Sequence, residues 1–109
     1  MIEISGNLLT PVPFNAHNEL FELLIQSKNV KIERIISSGQ TSPEDFWYDQ
    51  ENDEFVVILS GEARISIEYE STERHLYPGD FIHIPAHVRH RVTYTDPKGE
   101  TVWLAVHFL

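Results

Sequence analysis

The chain of 109 residues contains no cysteine and no long hydrophobic run. Without cysteine it forms neither a disulfide nor a thiolate site, which is typical of proteins in a reducing compartment. No apolar stretch approaches the roughly 20 residues that a membrane span needs, and the N-terminal residues lack the basic segment and apolar core of a signal peptide. The sequence therefore predicts a cytoplasmic protein that does not enter a membrane.

Basic residues are few as well. Eight Lys and Arg stand against seventeen Asp and Glu, which gives a formal net charge of −9. This charge repels polyphosphate and anionic lipid, and no basic patch extends beyond residues 89–91, so we expect no nucleic-acid partner. The hydrophobic content of 41% is too high for a disordered chain and is sufficient for one small domain with a single core.

Residues 1–29 are predicted to form an extended segment and one short helix that packs on the rest of the protein. Two prolines in "SGNLLTPVPFNAHNE" favour irregular or extended backbone. The apolar residues of "HNELFELLIQS" are spaced as on one face of an amphipathic helix, with Asn15 or Asn18 as a candidate N-cap.

From Val30 onward the apolar residues alternate with the period of β-strands. Turn residues such as Pro78 and Gly79 separate the alternating runs. Six or more short strands at spacings of roughly ten residues are typical of a sandwich or barrel. We therefore predict one all-β domain over residues 30–109, built from the segments "VKIERIIS", "EFVVILSG", "EARISIEYE", "HLYPGDFIHIP", "RHRVTYT" and "TVWLAVHFL".

Several polar side chains are predicted to face the inside of this domain. If Glu54 points inward at the start of its apolar strand, Gln50 can lie opposite it across the short turn "ENDE", with Tyr48 on the same face. His90 shares its face with Tyr94 by the same alternation. An amide oxygen, a carboxylate and an imidazole that converge in one cavity make a suitable N/O site for a divalent metal.

At these residues the sequence resembles the cupin family. The first cupin motif runs glycine, five residues, His-x-His, three or four residues, glutamate, six residues, glycine; Gly39 fits it approximately, and Glu54 with Gly61 fits it fully. The second motif runs glycine, five residues, proline, x, glycine, two residues, histidine, three residues, asparagine. The stretch "LYPGDFIHIPAHVRHRV" follows this second motif most closely, and the resemblance covers roughly residues 30–108.

The resemblance implies a cupin double-stranded β-helix, also called a jelly-roll barrel, in a subgroup without an assigned reaction. Both faces of "EFVVILSG" are apolar, and small cupins are often dimers. We therefore expect a homodimer that pairs through N-terminal strands or through the outer face of a sheet.

The chain departs from the cupin pattern at the His-x-His pair. With a spacing of three residues before Glu54, the two positions are Tyr48 and Gln50; with a spacing of four they are Trp47 and Asp49. We prefer the first register because it keeps a competent ligand, Gln50, where the second histidine stands in the family.

The second motif departs from the pattern too. The proline-x-glycine turn has become Pro85-Ala86-His87, which adds a histidine, and the terminal asparagine has become Tyr94. By resemblance the metal ligands are then Gln50, Glu54 and His90, with His87 as a fourth if its loop bends inward. The predicted residues around a bound substrate are Tyr48, Asp49, Tyr94, Trp103 and His107.

The implied cofactor is a divalent metal ion such as Zn, Ni, Fe or Mn, held less tightly than by three histidines and a carboxylate. Such a site suits Lewis-acid chemistry on a small organic molecule better than dioxygen chemistry, which favours more strongly donating ligands. Two alternatives remain open: a metal-free cupin that binds or senses a small molecule, and a structural protein with a filled barrel. The sequence does not decide whether the protein is an enzyme, because cupins include both enzymes and other proteins.

Overall fold

The computed structural model describes residues 5–11 and 18–109, and within them every regular element is a β-strand. The predicted all-β architecture is confirmed. The strands are β1 (Leu20–Gln26), β2 (Val30–Ser37), β3 (Asp53–Ser60), β4 (Ala63–Ile67), β5 (Arg74–Leu76), β6 (Phe81–Ile84), β7 (His90–Thr95) and β8 (Thr101–Phe108).

The strands form two antiparallel sheets. The larger sheet has the order β1-β2-β8-β3-β6, and the smaller one has the order β5-β4-β7. An isolated antiparallel bridge between Tyr48 and His90 joins the segment before β3 to β7, so the two sheets are linked at this edge. This arrangement places the inner faces of both sheets around a common interior.

Inward-facing side chains of both sheets form the core. Val56 and Ile58 of β3 pack with Ala63 and Ile65 of β4 and with Trp103 of β8, and each of these side chains is at most 4% exposed. Burial of an aliphatic side chain of this size contributes about 1.5–3 kcal/mol. These contacts hold the two sheets together and fix which residues face the interior.

Gly61 is required at the turn between β3 and β4. It has a φ of 84°, and a Cβ at this position would lie 2.6 Å from the Cα atom of Thr101 on β8. Only glycine combines this left-handed conformation with so close a backbone approach. The glycine at the end of the first cupin motif is therefore a packing requirement of the barrel.

The predicted N-terminal helix is wrong. Residues Leu20–Gln26 form β1, an edge strand that pairs with β2. The spacing that suggested a helix also satisfies two-sided strand alternation over so short a segment, and the exposed edge of β2 supplies the backbone partners that decide between them. Asn15, one candidate N-cap, lies outside the described residues. Within residues 5–11 and 18–109 there is no helix of the length and apolarity that a bilayer crossing demands.

Candidate functional site

A cavity of about 140 Å³ lies between the two sheets, and we refer to it as the lumen. Its walls combine five aliphatic side chains with three aromatic ones, Phe21, Tyr48 and Trp103. Because the lumen holds open space, a filled barrel does not describe the part of the chain that the structure covers. Among residues 5–11 and 18–109, six polar residues line the lumen: Glu19, Glu33, Gln50, Glu54, His90 and His107.

Glu54 and His90 meet in the lumen as the sequence predicts. Glu54 stands near the start of β3 and His90 begins β7, and they are 8% and 5% exposed. The Oε1 atom of Glu54 lies 3.7 Å from the Nε2 atom of His90. A carboxylate and an imidazole buried this far from water need each other or a ligand as partner.

The orientation of the His90 ring is fixed by the backbone. Its Nδ1 atom lies 3.0 Å from the carbonyl oxygen of Val88, which only accepts, so Nδ1 carries a proton and donates it. The Nε2 atom is left to face Glu54. Burial is the largest influence on the pKa of His90 and lowers it, but the nearby Glu54 carboxylate and the hydrogen bond to the Val88 carbonyl together raise the pKa above its ordinary value.

The segment before β3 delivers Tyr48 and Gln50 to the lumen. Tyr48 exchanges backbone hydrogen bonds of 2.8 and 3.1 Å with His90, and the two rings stack with centroids 5.7 Å apart. Side-chain alternation then turns Gln50 inward and Asp49 outward. Gln50 lines the lumen, whereas the Oδ1 atom of Asp49 lies 2.7 Å from His87 Nδ1 on the outside.

The structure does not bring His87 into the lumen. Its side chain is 65% exposed and contacts Asp49. His87 occupies the glycine position of the second cupin motif and keeps the left-handed backbone of a glycine, with a φ of 65°. This conformation directs the side chain away from Glu54 and His90, so the structure places this predicted fourth ligand at the rim.

Tyr94 is also turned away from the lumen. The register between β4 and β7 shifts so that Tyr94 pairs with Arg64 while Val92 pairs with Ile65. The shift leaves Thr93 as an extra residue, and such a bulge reverses the alternation beyond it. Tyr94 therefore faces outward, where the guanidinium carbon of Arg64 lies 4.5 Å from the ring centroid.

Trp103 and His107 face the lumen from β8, where the sequence prediction put them. The indole nitrogen of Trp103 donates to the Oγ atom of Ser37 at 3.1 Å. This bond satisfies the polar atom of a 4% exposed side chain and fixes the ring as one wall of the cavity.

Glu33 is a lumen residue that sequence reasoning missed. It is 9% exposed, and its Oε1 atom lies 3.1 Å from His107 Nε2. The other oxygen of Glu54, Oε2, lies 3.8 Å from the same nitrogen. Strand alternation alone did not identify it, and the available signal was that Glu33 and Ile35 lie two residues apart and so share the face of β2 that lines the lumen.

The proton on the His107 ring can be assigned from its neighbours. The amide nitrogen of Asn52 donates to the carbonyl oxygen of Asp53 at 3.0 Å and to His107 Nδ1 at 3.2 Å. His107 Nδ1 is therefore an acceptor, and Nε2 carries the proton and donates it to Glu33. His107 is thus a neutral donor inside the lumen, whereas His90 keeps Nε2 available for a ligand.

The donor set can be compared with the needs of a divalent metal. The described residues hold no ready-made group of three or more His, Cys, Asp or Glu side chains for a metal ion. The 3.7 Å between Glu54 Oε1 and His90 Nε2 matches two ligands of one ion, since each bond is about 2.0–2.2 Å long. Gln50 lines the same cavity and can add a neutral oxygen, so the residues fit a weak three-ligand site.

The cupin domain family model matches residues 33–107. The chain belongs to the cupin family. The family prediction is confirmed, and with it the jelly-roll barrel.

Similar solved structures support the fold. A Ralstonia eutropha JMP134 protein, provisionally named a mannose-6-phosphate isomerase, is 51% identical over 97% of this chain and 98% of its own, with a TM-score of 0.93. A cupin superfamily protein from Desulfitobacterium hafniense DCB-2 is 22% identical over 98% and 93% of the two chains, with a TM-score of 0.78. An RmlC-like cupin from Desulfovibrio desulfuricans is 23% identical over 96% of both, with a TM-score of 0.74. No curated protein matches the chain.

Proposed function

We propose that this cupin binds a divalent metal ion through Gln50, Glu54 and His90 and acts on a small organic molecule by Lewis-acid chemistry. The observation that carries the proposal is the meeting of Glu54 and His90 at 3.7 Å inside the lumen. His90 is already oriented for the task, because the Val88 carbonyl holds its Nδ1 proton and leaves Nε2 toward Glu54.

The lumen residues divide the chemistry between them. A divalent ion supplies a Lewis acid that polarises a carbonyl or hydroxyl oxygen of the bound molecule. Glu33, which His107 orients through its 3.1 Å contact, is placed in the same cavity to accept a proton from that molecule. Trp103 and Tyr48 form two walls of the same cavity.

The name of the 51% identical relative supports an enzyme and favours isomerisation as its reaction class. An isomerase that moves a proton next to a carbonyl needs a polarising group and a proton acceptor in one site. The lumen supplies candidates for both roles. We propose for this chain the reaction class in the name of that relative, but not its substrate.

Metal analysis tests the proposal. Untagged protein purified without chelator is expected to contain about one divalent ion per chain, and the His90→Ala variant is expected to lose most of it, because two weak oxygen ligands remain. His83→Ala is the matched control. His83 is a half-exposed histidine on the outer face of β6, paired with Asp53, so its loss leaves the metal in place.

A double variant sharpens the test. If wild-type protein and the Gln50→Ala/His90→Ala variant hold equally little metal by elemental analysis, the metal proposal is lost. Both variants are first checked for native folding by their amide NMR spectra, so that unfolding is not read as ligand loss.

A metal-free binding protein is the second candidate. Glu54 and His90 can satisfy each other without a metal, because the carboxylate lies 3.7 Å from the imidazole nitrogen and pairs with it when His90 is protonated. This candidate predicts no bound metal but an increase in melting temperature with a small metabolite, since a ligand that binds the folded state stabilises it.

We extend the proposal to a cytoplasmic homodimer. The outer face of the larger sheet exposes large apolar side chains, with Phe81 at 64% and Ile25 at 56%. Phe55 and Phe81 stack at 5.3 Å and continue this surface across β3 and β6. An apolar surface on a sheet is stabilised when a second copy covers it.

A further inference from the structure

The geometry points to a lumen that selects against anions, so that the ligand of this cupin is a small molecule without a phosphate or carboxylate group. The inference rests on the proposed function in taking the lumen as the ligand site. It adds the chemical class of the ligand, which follows from the charges and the size of the cavity.

Negative charge dominates the walls of the lumen. Glu19, Glu33 and Glu54 line it, and no Lys or Arg does so among the described residues. His90 is the one lining side chain placed to carry a positive charge, since the contacts of His107 make that ring a neutral donor. Three carboxylates exceed the charge of a divalent cation, so the excess persists with the proposed metal bound. An anion entering such a cavity loses its hydration and meets a net negative charge, because His90 already faces the Glu54 carboxylate and no cationic side chain among the described lumen residues faces the other two carboxylates.

The nearest lysine does not change this balance. The Nζ atom of Lys31 lies 3.9 Å from Glu33 Oε2, but its side chain is 45% exposed and lines an adjoining surface groove rather than the lumen. Arg34, the next basic residue of β2, faces the other side of the sheet, where it binds Glu22 at 2.6 Å.

The volume of the lumen limits the ligand as well. A cavity of about 140 Å³ is close to the roughly 150 Å³ that accommodates benzene in an engineered protein. The lumen, which opens to solvent beside the exposed side chains of Phe21 and Tyr48, therefore holds about six non-hydrogen atoms of a ligand. A sugar phosphate exceeds this size and also places a dianion among carboxylates.

A matched pair of probes separates charge from shape. Isobutyramide and isobutyrate have the same shape and six non-hydrogen atoms each, and only the second is an anion. Binding is followed by the NMR signal of the Trp103 indole N–H, a group that lies in the lumen wall. Isobutyramide is expected to bind at least about tenfold more tightly than isobutyrate, because the anion faces uncompensated carboxylates at short range.

Two variants locate the source of the discrimination. Glu33→Gln removes one lumen charge at constant size and is expected to bring the two affinities to within about threefold. Glu68→Gln makes the same change in total charge on the outside, where Glu68 pairs with Arg89, and is expected to leave the ratio unchanged. If Glu33→Gln perturbs the fold, Glu19→Gln, which also removes a lumen charge, takes its place.

The outcomes separate this inference from the metal proposal when the metal content of the same sample is measured. Discrimination against isobutyrate in protein that contains no metal as purified supports the inference and counts against the proposal that the protein binds a metal. Isobutyrate that binds as tightly as isobutyramide overturns the inference even when a metal is present, and so does a result in which neither probe binds.

Discussion

The two faces of the larger sheet depart from the usual distribution of polar and apolar residues in different ways: charged side chains lie beside the apolar core on the inner face, and aromatic side chains are exposed on the outer face. The inner face carries Glu33, Glu54 and His107 in a cavity, whereas the outer face shows Phe81 to solvent at 64% exposure. Exposed aliphatic residues are common on protein surfaces, but buried charges and contiguous exposed aromatics are not.

Each face of the sheet carries side chains whose contacts a second molecule could improve. The buried carboxylates and imidazoles pair with one another at 3.1 to 3.8 Å, and these distances leave room for a ligand to improve their contacts. The aromatic side chains outside stack on each other but remain open to water. We therefore propose that the inner face binds a ligand and that the outer face binds a partner chain.

The largest expected effect concerns the outer face. A homodimer is expected for wild-type protein in size-exclusion chromatography with light scattering. Phe81→Lys should weaken it by roughly a hundredfold or more, because an unpaired ammonium would be buried at the interface. Ile25→Lys makes the same test at β1 and shows whether the edge strand or the sheet face carries the contact.

Tyr69→Lys is the control for these variants, since Tyr69 is 77% exposed and lies in the turn after β4. A wild-type protein that stays monomeric at all concentrations tested would contradict the proposal that the outer face binds a second copy of the chain. The inner face would be unaffected by that outcome.

A smaller effect is expected from pH on the inner face. Contacts with Glu54 and the Val88 carbonyl outweigh burial and raise the pKa of His90 above 6.5 in the folded protein. The folded state therefore binds this proton more tightly, and the stability it adds is fully present below pH 6.5 and is lost as the pH rises through the folded pKa.

Urea denaturation of metal-free protein at a series of pH values measures this effect. The difference in unfolding free energy between wild type and His90→Gln is expected to shrink as the pH rises above neutrality. A difference that grows with pH would mean that Glu54 does not stabilise the imidazolium.

The smallest effect is expected at the rim. His87→Gly relieves the left-handed backbone at a φ of 65° but removes the contact with Asp49, so the unfolding free energy should change by less than about 1 kcal/mol. Metal content should be unchanged, because His87 lies outside the lumen. Loss of metal in this variant would return His87 to the ligand set.

The sequence predicted the parts of the molecule that depend on local pattern. The succession of short strand segments separated by turn residues, together with the motif around Glu54 and His90, identified the barrel and the pair of residues at its centre. The spacing of three residues also selected Gln50 over Asp49 for the lumen. In each case the pattern and the structure follow from the same strand geometry.

The sequence misled where tertiary structure overrides alternation. Leu20–Gln26 forms a strand because it pairs with the edge of β2. Tyr94 faces outward because Thr93 is an extra residue in the pairing of β7 with β4. Glu33 was missed because β2 carries apolar residues such as Ile32 on its outer side. The usual rule places the apolar row of a strand inside, and β2 departs from it because Glu33 lies on its inner side.

Anomalous scattering from a crystal grown with Zn²⁺ or Mn²⁺ tests the central claim most directly. The account predicts a peak in the lumen within about 2.0–2.3 Å of Glu54 and His90 Nε2, with the Gln50 oxygen nearby. A peak at His83 and Asp53 on the outer face, or at His87 and Asp49 on the rim, with none in the lumen, would contradict it.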